Sequence, residues 1–347
     1  MTAPMTGDRP RYQEPGTLGA ATLRSRRPPS KSLALGRLRR GLRRQWLLFA
    51  LIAAFVTVAG VAYDLSGGDH LLVSALLFWG PVGIAVGFVA ALVRELARNT
   101  VTSLSSFGKN RGYAILGAAP ELTDRALRQL PPDKRTPLGC LAFQPASPFA
   151  TAFRDLQNAV SKDGVVAFAG ALADEGATTA ALCTAIAASQ QGRSVVVIDC
   201  DLRRRSLTRS LGFDPDEGLI DACEEPNQWQ NFVGEEDETG LHFIPASRAR
   251  SPWRNVASAP GFKELIMRLR QHYDLIVLDC PPVLVGPDGA MTAGVADKSI
   301  LVTAWDRTPI PAVRRAMAAL QRRPRAQTAV YVNRVPPEYR FGRLRGD

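Results

Sequence analysis

Two stretches decide the fold: Ala171-Leu-Ala-Asp174-Glu175-Gly176-Ala177-Thr178-Thr179, and Val195-Val-Val-Ile198-Asp199-Cys-Asp201-Leu-Arg203. The first follows a short apolar run, Val165–Ala169. It opens a helical pattern that runs from Thr178 to about Gln190, where Gly192 stops it. The second is a β-branched run of the kind found in strands buried on both faces of a parallel sheet. The pattern is therefore strand, glycine-bearing loop, helix, strand. A loop that cradles phosphates normally ends Gly-Lys-Ser/Thr: the glycine lets backbone N–H groups turn to the phosphate, the lysine reaches the β/γ-phosphates, and the hydroxyl binds Mg²⁺. Here the glycine and the hydroxyl stand, but the lysine position holds Ala177.

Working outward, further strands are expected at Leu241–Ile244, Leu275–Leu278, Ser299–Val302 and Thr328–Val332. Helices are expected over Ala152–Val160, Phe262–Arg270 and around Ala312–Gln321. Strands alternating with helices predict an α/β fold with an open, mostly parallel sheet like that of P-loop NTPases. Ligands bind such sheets at the carboxyl ends of their strands. The loop after residue 170, Asp199 and Asp279 all fall there. The helix beginning near Thr178 would aim its positive N-terminus at an anion. Asp199 and Asp201 are the candidate catalytic residues, able to hold Mg²⁺ or its water and to orient a nucleophile. Thr178 and Asp199 are the candidate metal ligands. Gly176, Thr178, Thr179 and Asp279 are the candidate binding residues for ATP or ADP with Mg²⁺. The bland alternative is that the three aspartates simply cap strands at a vacant cleft.

The net charge is +11 over 347 residues. Residues 1–45 carry eleven Arg or Lys against two acids, so nearly all of the excess lies in that tail. The tail is rich in Pro, Gly and Ser and reads as disordered. A basic run before an apolar stretch reads anionic lipid and sets topology, which disfavours a nucleic-acid partner. Two apolar runs follow, Trp46–Tyr63 and Leu71–Val93, each long enough to cross about 30 Å of hydrocarbon as a helix. Arg43, Arg44, Arg94 and Arg98 flank the outer ends, while the connector 64–70 has no Lys or Arg. The expectation is a transmembrane helical hairpin over 46–93, with both termini cytoplasmic. A linker over 94–150, an α/β domain over 151–335 and a tail over 336–347 complete the division. Five cysteines without a Cys-x-x-Cys pair, and three scattered histidines, exclude a zinc-finger or disulfide framework. They read as buried thiols in a reducing compartment.

Several segments resemble one family. Ile198-Asp-Cys-Asp-Leu-Arg203 is similar to its Walker A′ segment, and Tyr273-Asp-Leu-Ile-Val-Leu-Asp279-Cys-Pro-Pro282 to its Walker B. Gly218-Leu-Ile-Asp221, Phe243-Ile-Pro-Ala246, Pro260-Gly-Phe-Lys-Glu-Leu265 and Ala114-Ile-Leu-Gly-Ala-Ala-Pro120 match further runs. The family is the cytoplasmic domain of bacterial tyrosine kinases that work with polysaccharide co-polymerases, within the deviant P-loop ATPases. The resemblance covers about residues 113–335. It implies a role in exopolysaccharide or capsule biosynthesis or export, and it places Asn333 near a nucleotide base.

Departures from the family bear on function. Besides Ala177, Asp174 stands where the loop has a glycine. The assembly helix, Glu-x-x-Arg-x-x-Arg in the family, reads Thr151-Ala-Phe-Arg154-Asp-Leu-Gln157, so only the middle arginine survives and a homo-oligomer stays open. Tyr339 is the single tyrosine after Asn333, where the family has a cluster. Residues 64–70 cannot replace the family's extracytoplasmic domain, which implies a separate co-polymerase or export subunit as partner. Two readings follow: a pseudokinase serving as regulator or scaffold, or an active ATPase or tyrosine autokinase. In the second, Lys162, Arg203 or a neighbouring chain's arginine replaces the lysine.

Overall fold

The computed structural model describes residues 49–63, 72–96, 100–101, 113–247, 255–322 and 326–337. The basic tail, the connector 64–70 and Tyr339 lie outside the described residues. The first apolar run is helical over 49–63 (α1) and the second over Leu72–Leu96 (α2). The two helices touch through small residues. A Cβ on Gly83 would lie 2.6 Å from the Ala53 carbonyl, and the Thr57 hydroxyl reaches the Trp79 carbonyl at 3.3 Å. Phe55, Val58, Phe78, Ile84 and Val89 are exposed on this pair. Counting described residues alone, no helix is both long and apolar enough to cross a membrane.

From residue 114 onward the chain builds an eight-stranded sheet. Its strands are β1 (Ala114–Pro120), β2 (Val165–Gly170), β3 (Val195–Asp199), β4 (Gly234–Glu236), β5 (Leu241–Ile244), β6 (Leu275–Asp279), β7 (Lys298–Ala304) and β8 (Gln327–Val335), in the order β1-β8-β7-β2-β6-β3-β5-β4. Neighbours run parallel except β4 on β5. The mostly parallel α/β expectation is met. The period-2 pleat divides the strand side chains between two cores. Ala167, Ile198, Ile276 and Leu278 face one side, and Phe168, Val197, Leu275 and Val277 face the other.

Helices cover both faces, as an all-buried parallel sheet requires. They are α3 (Asp124–Leu127), α4 (Pro137–Phe143), α5 (Pro148–Ala159), α6 (Ala177–Ser189), α7 (Ser206–Ser210), α8 (Leu219–Glu224), α9 (Phe262–Leu269), α10 (Pro287–Ala293) and α11 (Ile310–Gln321). Phe149, Phe153 and Leu156 of α5 join Leu182 and Ile186 of α6 in one core. Phe262, Leu265 and Leu269 of α9 join Val313 and Met317 of α11 in the other. All five cysteines are free and buried.

The stretch expected to be a linker, 94–150, behaves differently. Ala114–Pro120 is an edge strand of the sheet, paired with β8, and α4 packs into a core through Cys140 and Leu141. Its Gly- and Ala-rich sequence carries little strand signal of its own, so the pairing partner dictates the conformation. Further back, the Val101 amide donates to the Thr308 carbonyl at 3.0 Å and Val101 is fully buried.

Candidate functional site

Register brings the site together. Asp279 of β6 lies opposite both Phe168 of β2 and Asp199 of β3. The loop leaving β2 therefore starts beside two strand-end carboxylates. Glu175 shapes that loop from inside. It is buried, and its carboxylate accepts from the Leu172 amide at 2.9 Å and from the Thr308 hydroxyl. Burial pushes its carboxyl pKa up, partly offset by those donors. Asn333 closes the loop from behind, donating from Nδ2 to the Glu175 carbonyl at 3.2 Å. A Cβ on Gly176 would meet that Nδ2 at 2.1 Å, and its φ of 89° is left-handed, so only glycine fits.

Gly176 is also the N-cap of α6 and offers no side chain to the first-turn amides. Among the described residues no capping side chain bonds those N–H groups, which suits an anion. Ala177 is the first helical residue, and Thr178 and Thr179 follow, half-buried, in the same turn.

The carboxylates differ in how they are held. Asp199 is fully buried; its Oδ2 accepts from the Thr208 amide at 2.9 Å and hydroxyl at 2.7 Å, and its Oδ1 from the Asp201 amide at 3.2 Å. Asp201 uses Oδ1 to accept from the amides of Arg203 (3.2 Å) and Arg204 (3.1 Å). Asp279 is 1% exposed, and its Oδ2 has no hydrogen-bond partner among the described residues. Burial, then the nearby Asp199 carboxyl, pushes the Asp279 pKa well up, and the adjacent Thr178 hydroxyl offsets part of this. Burial raises Asp199 too, against the donors from Thr208. A buried carboxyl with an unmet oxygen fits a nearby cation or its water. Among the described residues no group of three or more His, Cys, Asp or Glu could hold a metal by itself. Mg²⁺ in such sites keeps waters and takes one or two protein oxygens together with phosphates. A cavity of about 120 Å³ opens beside Asp201, lined also by Arg203, Arg204, Pro282, Val285 and Asp288.

Three consecutive arginines follow Asp201, each with its own acceptor. Arg203 reaches Asp288 of α10 at 2.8 Å. Arg204 reaches Asp174 of the loop at 2.6 Å. Arg205 reaches Asp214 at 2.7 Å and the Ala246 carbonyl at 2.9 Å. Lys162 stands before β2, at the amino end of the sheet, the length of a six-residue strand from the loop. That removes it as a stand-in for the lysine. Arg203 is directed to α10 instead of the loop. Asp174 has φ 63°, the left-handed region where glycine is at ease and aspartate is tolerated.

Thr208, Thr308, Glu175 and Arg204 were not among the residues expected at the site. Thr208 and Thr308 sit in segments without a motif, and their contacts cross 9 and 133 positions of sequence.

An AAA domain family model matches residues 165–305. "Putative tyrosine-protein kinase EpsB" of Ralstonia nicotianae is 27% identical over 282 residues, covering 78% of this chain and 37% of that protein. "Succinoglycan biosynthesis transport protein ExoP" of Rhizobium meliloti is 30% identical over 179 residues, 49% of this chain and 23% of that one. The kinase domain of the Escherichia coli tyrosine kinase ETK superposes with a TM-score of 0.59 at 19% identity, over 68% of this chain and 96% of that domain. The chain is thus similar to bacterial tyrosine kinases, and it shares the fold of a tyrosine-kinase domain. It spans about a third of the length of the first relative, EpsB.

Proposed function

We propose that this chain is a membrane-anchored pseudokinase of the bacterial tyrosine-kinase type. It acts in exopolysaccharide or capsule biosynthesis or export, as a regulator or scaffold for a separate co-polymerase or export subunit. The observation that carries the reading is Ala177 at the first position of α6, beside an intact Gly176 and an intact carboxylate set. Phosphoryl transfer is mainly positioning plus stabilisation of negative charge, and loss of a cation there costs orders of magnitude in rate. Nucleotide binding asks less. The first-turn amides of α6, the Thr178 hydroxyl and the unmet Asp279 oxygen suit a phosphate with its Mg²⁺. Mg²⁺, when bound, would neutralise charge on the β/γ-phosphates, with Thr178 and Asp199 or Asp279 holding it or its waters.

The membrane part rests on the two apolar runs and on the large apolar side chains that α1 and α2 leave exposed. Such a surface suits lipid better than water. The basic tail, hairpin, P-loop domain and C-terminal tail then occupy one inner-membrane protein with both ends in the cytoplasm, and a partner on nucleic acid is not part of this reading.

The test uses the full chain in detergent, titrated with fluorescent ATP and ADP with and without Mg²⁺, alongside phosphate release and anti-phosphotyrosine blotting. The expected result is saturable, Mg²⁺-dependent binding without turnover. Turnover, or phosphotyrosine that disappears in Asp199→Asn, overturns the pseudokinase reading in favour of an active autokinase. Absence of binding overturns the nucleotide reading.

A further inference from the structure

We propose that Arg204 supplies the positive charge missing at Ala177, and that Asp174 holds its guanidinium in place of a phosphate until a nucleotide displaces it. This rests on the nucleotide reading above and names the group that would carry it.

The geometry singles out one cation. Of the three arginines after Asp201, Arg204 alone is bonded to the loop, while Arg203 turns to α10 and Arg205 to Asp214. Its backbone amide is fixed on Asp201 Oδ1, so the side chain starts from the same turn that presents the Walker A′ carboxylate. The guanidinium lies within electrostatic reach of Asp201 and Asp279 as well as Asp174. It is bonded to the loop and starts from the turn beside the Asp201 carboxylate, and the terminal phosphates of a bound nucleotide would lie against that same loop. A guanidinium presents a planar fork of donors that matches two phosphate oxygens as well as it matches a carboxylate. The contact is also exchangeable: Asp174 is 76% and Arg204 43% exposed at the side chain.

Asp174 has the properties of an internal competitor. It is the acid that occupies the loop position where the related loops carry glycine, and its left-handed φ is one that glycine adopts without strain. The hydrogen bond from Arg204 holds its carboxyl below the usual range, so it is a full negative charge at neutral pH. A phosphate entering the loop must take over that guanidinium and leave Asp174 to solvent. Arg334 also acts on Asp174 and Glu175, through space.

The experiment measures binding of a fluorescent ADP, with Mg²⁺, to the full chain and to Arg204→Gln, Arg203→Gln, Asp174→Gly and the Asp174→Gly/Arg204→Gln double variant. Circular dichroism confirms that each is folded. Loss of a charged hydrogen-bonding partner predicts about 10- to 100-fold weaker binding for Arg204→Gln. Asp174→Gly should bind tighter than wild type, and the double variant should fall back to the level of Arg204→Gln. Binding by wild type that is unchanged in Arg204→Gln, or lost in Arg203→Gln instead, overturns the role of Arg204 and leaves the nucleotide reading intact. No binding by wild type or Asp174→Gly overturns both.

Discussion

The two ends of the central sheet treat their acids in opposite ways. At the amino end three carboxylates are each matched. Asp163 pairs with Lys298 at 2.6 Å, and Asp297 accepts from Arg270 at 2.7 Å and from the Val165 amide at 2.8 Å. Asp274 accepts from the Ser194 amide and hydroxyl at 2.9 and 3.0 Å, which lowers its pKa. At the carboxyl end, Asp199, Asp201 and Asp279 crowd together; among the described residues no cation is bonded to their carboxylates, and Asp279 keeps an unmet oxygen. One end uses its charges to fasten strands. The other holds charge in reserve, which is the arrangement expected of a binding site and an unfavourable one for an empty fold.

The largest effect should come from removing that reserve. Asp279 has its pKa raised by burial, so the native state holds its proton to higher pH than the unfolded chain does. The stability this group contributes is complete below the unfolded carboxylate pKa of about 4 and is lost as pH rises through the raised native value. Near neutral pH, wild type therefore either keeps a proton on Asp279 or buries an unpaired charge. Asp279→Asn should raise stability at pH 7–8 by about 2–3 kcal/mol, the scale of an unmet buried polar group and more for a charged one. The gain should shrink toward zero below about pH 4. Denaturant melts of ligand-free protein across that range would check it. A variant less stable at pH 8 would break the contrast between the two ends.

Gly176→Ala comes next. Its Cβ would run into Asn333 Nδ2 in a left-handed backbone, so a loss of about 1–2 kcal/mol is expected. A second readout is the Asn333 hydrogen bond to the Glu175 carbonyl. Asn333→Ala combined with Gly176→Ala should recover part of the loss, because the clash is removed while the strained φ remains. Melting of the two single variants and the double variant separates these contributions.

How much of this was readable in the sequence follows the same division. The buried strands β2, β3 and β6 announce themselves as Val/Ile/Leu runs, and Asp199 and Asp279 mark their ends. Gly176 and Thr178 follow from the glycine and hydroxyl that flank position 177 at the head of a helix. What stayed hidden depends on partners far along the chain. The strand character of Ala114–Pro120 comes from β8, more than two hundred residues later, and β4 is only Gly-Glu-Glu fastened to β5. Three arginines in a row reveal a basic turn, but not that the first faces Asp288, the second Asp174 and the third Asp214. Those directions are set by tertiary neighbours, and with them the difference between Arg203, a plausible cation by sequence, and Arg204, the one bonded to the loop.

The smallest effect belongs to the matched end, and it should run with the opposite pH dependence. Arg270 donates twice from Nη2 to Asp297, and the same carboxylate caps the start of β2 through the Val165 amide. Burial pushes the Asp297 pKa up, but Arg270 and the backbone donors outweigh it and hold it low. With the native pKa depressed, the contribution is present above the unfolded carboxylate value and is lost as pH falls through the native one. Both side chains are about 40% exposed, so solvent screens the pair. Arg270→Gln should therefore cost no more than about 1 kcal/mol near pH 7 and progressively less as pH falls below about 4. The Val165 amide keeps its acceptor in this variant, so the strand start should stay ordered. Hydrogen exchange of that amide is the sharper readout. Protection unchanged in Arg270→Gln but lost in Asp297→Ala would show that the carboxylate fastens β2 directly, with the arginine only reinforcing it. Equal loss in both would mean the ion pair acts as one unit.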